Sequence, residues 1–96
     1  MTSKAAALAI SIADAVSAAP GVRRLTGGDA IEAATQYPGG KVVGVRLAET
    51  VQIHLVADRV PLPPVGAEAA KAARSVLAKA GDDRPVEVFI DDIEEI

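Results

Sequence analysis

Val42-Val43-Gly44-Val45-Arg46-Leu47, the link Ala48-Glu49-Thr50, and Val51-Gln52-Ile53-His54-Leu55-Val56 together decide the fold. Val43, Val45 and Leu47 alternate with Val42, Gly44 and Arg46; Val51, Ile53 and Leu55 alternate with Gln52, His54 and Val56. Successive side chains of a strand point to opposite faces. Two period-two runs joined by a short polar link therefore read as an antiparallel hairpin with one apolar face. That face needs a cover, and the flanking segments supply two helices.

Upstream, residues 4–19 read as a helix that Thr2 or Ser3 can cap and Pro20-Gly21 stops. At 100° per residue, Ala5, Leu8, Ala9, Ile12, Val16 and Ala19 gather on one face, and Ile10 falls outside that stripe. Downstream, Pro61, Pro63 and Pro64 end the second strand, and Pro64 opens a helix over residues 64–80 that Gly81 closes. Its apolar face carries Val65, Ala69, Ala72, Ala73, Val76, Leu77 and Ala80. A final strand over residues 85–91 sets Val86, Val88 and Ile90 against Glu87 and Phe89. Residues 30–37, between two glycine pairs, are either a short edge strand or a structured loop. The expected fold is α+β: a two-layer sandwich with two helices on one face of a mostly antiparallel sheet of three or four strands. Residues 1–96 form one domain.

Of 96 residues 48 are apolar, but 20 of these are alanine, which leaves a thin core that a partner or a second copy could supplement. The net charge is −3 and unevenly placed: residues 82–96 carry −6 and residues 1–81 carry +3. An acidic strand end that keeps the chain in solution accounts for this. The acids Asp91, Asp92, Glu94 and Glu95 follow no EF-hand spacing. With no cysteine there is no disulfide or thiolate chemistry, and with one histidine no conventional zinc site. Asp14 interrupts the apolar region a signal peptide would need. No apolar run approaches the roughly 20 residues that span a bilayer. Both features point to a cytoplasmic protein.

Motifs for chemistry are sparse. His54 is the sole imidazole, on the strand face opposite Val51, Ile53 and Leu55, with no recognisable nucleophile elbow or second metal ligand near it in sequence. It reads as a solvated or interface histidine, without a catalytic role. Gly39-Gly40-Lys41 lacks the hydroxyl and the following helix of a phosphate loop, because Val42 comes next. Basic residues are scattered, stacking aromatics number two, and no Gly-x-x-Gly loop joins two helices, so nucleic-acid binding is not expected. No catalytic residue, cofactor or metal is assigned. Ile10, Arg46, Gln52 and His54 are the candidate partner-interface residues.

Taken in order, Ile12 and Val16, Pro20-Gly21-Val22 and Leu25, Tyr37-Pro38-Gly39-Gly40, Val43-Gly44-Val45, the strand Val51 to Val56, Leu62-Pro63-Pro64-Val65 opening an alanine-rich helix, and Val86-Glu87-Val88-Phe89-Ile90-Asp91-Asp92-Ile93 resemble the alkaline shock protein family of bacterial envelope-stress proteins, in a short single-domain form. The resemblance runs from about Ala5 to Ile93. The chain departs from the family in its barely charged first helix, its alanine-rich second helix and the lack of a long acidic extension. The resemblance implies a non-enzymatic protein with no membrane span, held at the inner face of the cell membrane by a membrane-anchored protein partner, and in some members self-assembling. The alternative is a small regulatory domain that binds an acidic metabolite or nucleic acid through Arg46, His54 and neighbouring bases on the open sheet face.

Overall fold

A computed structural model describes residues 3–28 and 33–95. The order is α1 (Lys4–Ser17), β1 (Val22–Leu25), β2 (Ala34–Tyr37), β3 (Gly40–Val43), β4 (Val45–Leu47), β5 (Val51–Ala57), α2 (Leu62–Lys79) and β6 (Val86–Ile93). The α+β class stands, with both helices packed on one face of a mostly antiparallel sheet. Strand β5 is its axis. On one side it pairs in parallel with β6; on the other, its first half pairs with β4 and its second half with β1, both antiparallel. The hairpin read from the alternation is present as β4–β5, with Arg46 opposite Gln52 and Leu47 opposite Val51.

Helix α1 starts where Ser3 Oγ accepts the Ala6 amide at 3.0 Å, the side-chain cap that satisfies an otherwise orphan N–H; Thr2 lies outside the described residues. Its last turn ends at Ser17, two residues short of the expected end. The buried positions are Ala6, Ala9, Ile12 and Val16, so Ala6 replaces the expected Ala5. In α2 the prolines occupy the first turn, where their missing amides cost nothing, and the helix begins at Leu62. Here Ala70 is buried and the expected Ala80 is exposed. Ile12 and Val16 meet Val65, Leu77 and the sheet residues Val45, Val51, Ile53 and Leu55 in one core. Ala9, Ala69 and Ala73 are fully buried in it, which lets the backbones approach closely and makes a small core sufficient.

Two strands were not legible. Strand β1 is four residues, Val-Arg-Arg-Leu, with no alternation to mark it. The run from Val42 to Leu47 is not one strand: Gly44, at φ +90°, breaks it. Beyond the break β3 folds back on β2 as a separate two-stranded sheet, so Ala34–Tyr37 is a strand, while residues 30–32 lie outside the described residues. The break also reverses the facing of β3. Val43, expected inward beside Val45, is exposed, and Val42 packs on the core instead.

Gly44 is buried at the junction of both sheets: its N–H donates to the Ala33 carbonyl at 2.8 Å, and its carbonyl accepts the His54 N–H at 2.9 Å. A Cβ there would lie 2.7 Å from Leu25 Cβ and 3.1 Å from the His54 oxygen. Gly44→Ala should therefore cost about 2–4 kcal/mol in urea unfolding, combining left-handed strain with overpacking. In the same assay Ile12→Ala should cost about 2–5 kcal/mol and Ile10→Ala at most about 0.5 kcal/mol.

Candidate functional site

The helices cover one face of the sheet; the other carries no helix. Pairing partners share a face, so the register lays out this outer face directly. Arg46, Gln52 and Glu87 form one row; His54 and Phe89 form the next; Arg24, Val56 and Asp92 form a third. Arg46, Gln52 and His54 are thus brought together as expected. Ile10 is not with them: it sits on α1, 38 % exposed, in the other layer.

His54 is not solitary. Its ring stacks on Phe89 with centroids 4.5 Å apart and planes 14° from parallel. Its Nδ1 lies 2.8 Å from Asp91 Oδ2, with the two side chains 19 % and 22 % exposed. An aromatic stack fixes the ring plane and a carboxylate at Nδ1 fixes its rotation, which leaves Nε2 as the ring nitrogen for an external group. The parallel pairing supplies both neighbours: β6 returns beside β5 in a register that sets Phe89 opposite His54, and the shift after Ile90 brings Asp91 alongside. Phe89 and Asp91 are therefore site residues that local sequence reading missed. Their signal was the offset between two strands joined by a helix, which places them side by side only if the strands are parallel neighbours.

The acidic end is not a free tail. Glu94 accepts from Arg24 Nη2 at 2.9 Å and from Arg23 Nε at 3.1 Å, tying β6 across to β1. The hydrogen bond from Arg24, with its charge and the Arg23 contact, holds the Glu94 carboxyl below its ordinary value despite partial desolvation, and Arg24 is raised in return. Asp82 is likewise lowered, chiefly by its hydrogen bonds from the Arg84 side chain and backbone. Arg84 also donates to the Ala48 carbonyl at 3.1 Å, holding the approach to β6 against the β4–β5 link.

All four serines lie in α1, its cap or α2, away from the outer face that holds His54. Among the described residues, no group of three or more His, Cys, Asp or Glu is placed to hold a metal ion. An open groove of about 570 Å³ lies between the helices, lined by Lys4, Leu8, Ser11, Val76 and Lys79, and His54 does not reach it. No described helix is long and apolar enough to cross a membrane. No family model, no curated protein and no solved structure matches the chain.

A carboxyl whose folded pKa is lowered contributes stability above its unfolded value and loses that contribution as pH falls through the folded one. Glu94→Gln should accordingly lower the thermal midpoint near neutral pH by a small amount, because the pair is exposed. The wild-type and variant midpoints should converge as the pH drops below the ordinary carboxylate range of about 4. A difference that persists unchanged into strong acid would exclude the ion pair as its source.

Proposed function

We propose that this chain is a non-enzymatic protein-interaction module of the bacterial cell-envelope stress response or envelope homeostasis, resembling the alkaline shock proteins, and that a membrane-anchored protein partner holds it at the inner face of the membrane. The observation that carries the reading is the outer sheet face: an aromatic stack at its centre, ringed by charges of both signs, with no helix over it. Interfaces favour an aromatic anchor inside a polar rim. A Ser-His-Asp arrangement would need a hydroxyl at His54, and the serines stand in the helix layer.

The runner-up, an acidic metabolite or nucleic acid bound through Arg46, His54 and nearby bases, is weakened by what shares their surface. Glu87 stands in the Arg46 row, Asp91 meets His54, and Glu94 occupies Arg24. A polyanion would meet these carboxylates at every step, whereas a protein can match a mixed field.

Direct lipid anchoring has little to work with. Helix α1 has one lysine, six alanines among 14 residues and its bulky Ile12 and Val16 buried inward, and α2 has no aromatic residue, whereas interfacial helices use bulky apolar chains beside a basic face. Exposed Ile10 is available to a second copy in a homo-oligomer.

In cell extracts the protein should sediment with membranes and be released when the outer face is altered by Phe89→Glu. The purified chain should stay in solution when floated with anionic liposomes at physiological salt. Tight binding to bare liposomes, or membrane association unchanged by Phe89→Glu, would overturn the proposal. In sedimentation, Ile10→Glu should shift the mass toward monomer without unfolding.

A further inference from the structure

Strand β6 pairs with β5 along its length, and no described strand pairs with its other side. The register decides which backbone groups point outward. Val51 donates its N–H to the Pro85 carbonyl at 2.8 Å and stands opposite Val86. In a parallel ladder a residue bonds to the two neighbours of its partner. Pro85, Glu87 and Phe89 therefore turn their polar groups to β5, and Val86, Val88 and Ile90 turn theirs to the outer edge. No turn or loop backbone among the described residues hydrogen-bonds to those three. The register shift disrupts the outer edge just after them, but from Val86 to Ile90 it lies open.

Charge decides what such an edge would accept. Asp91 and Glu94 are already engaged by His54 and the arginines of β1. Glu87 meets only the neutral Gln52 amide at 3.4 Å, and Asp92 accepts from the Ile93 N–H beside it. Neither makes a direct ion pair among the described residues, and Asp92 acts on Arg24 only through its charge. Two copies joined edge to edge would bring together two segments that each carry −6. An added strand of opposite charge and alternating pattern would satisfy the outward amides and carbonyls, set its cations beside Glu87 and Asp92 on the outer face, and place its apolar side chains beside Val86, Val88 and Ile90 on the inner one.

We propose that the outer edge of β6 binds an extended, basic protein segment as an added strand. This rests on the reading of the chain as an interaction module and names the chemistry of its partner.

The test uses the full chain and a peptide of Lys-Val repeats as probe. At saturation, hydrogen exchange at the Val86, Val88 and Ile90 amides should slow at least about tenfold. Affinity should fall as salt is raised. The same peptide with every backbone nitrogen methylated keeps its charge but cannot form the ladder, and should bind at least about tenfold more weakly. Val88→Pro, which removes one outward N–H and none facing β5, should weaken binding similarly while the chain stays folded. Equal binding of the methylated peptide would reduce the effect to charge alone and overturn the proposal. So would unchanged exchange at the three amides, or their protection in the free protein as its concentration rises, since a second copy would then occupy the edge. Because this assay contains no membrane, a failure of the envelope reading in cells would leave its result standing, and the reverse also holds.

Discussion

Strand β5 forms backbone pairings on both of its sides while burying alternate side chains beneath both helices. Val51, Ile53, Leu55 and Ala57 are completely buried, and the same seven-residue strand meets β6 on one side and β4 and β1 on the other. A strand paired on both sides has no unsatisfied ladder groups, so its burial carries no polar penalty. Every other element is placed relative to it. The helices lie over its inner face, the hairpin β2–β3 reaches it through Gly44, and β6 is laid alongside by the α2 crossover.

The alanine content that makes the core look thin is also what makes it close. Alanines at the interface of α1 with α2 and the sheet bring backbones near enough for Ile12, Val16, Val65 and Leu77 to fill the space with few large side chains. The cost of this economy is intolerance of added volume. Gly21, at φ +86°, lies against α2, where a Cβ would come 2.6 Å from Val65 Cγ2, so the turn leaving α1 depends on its having no side chain.

On the outer face, chemistry is built from strands distant in sequence. His54 belongs to β5, its stacking and hydrogen-bonding partners to β6, and the arginines that bind Glu94 to β1. Each contact crosses a strand boundary, so the electrostatic character of the face is a property of the sheet. This is why a group of bases in the sequence becomes a surface of alternating sign.

Local physics alone determined the hairpin, both helices and the last strand, because hydrophobic periodicity and proline and glycine placement act within a few residues. It also placed Arg46, Gln52 and His54 on one face, since alternation along a single strand and its hairpin partner needs no distant information. Tertiary structure decided the rest. Strand β1 exists because the open half of β5 needed a partner; its own sequence carries no alternation. The split between β3 and β4 depended on Gly44 adopting a left-handed conformation that glycine permits but does not require, and that one corner reversed the facing of Val42 and Val43. The partners of His54 and the open outer edge of β6 followed from a parallel register, which is set by how α2 packs across the sheet and not by any residue next to His54 in the chain.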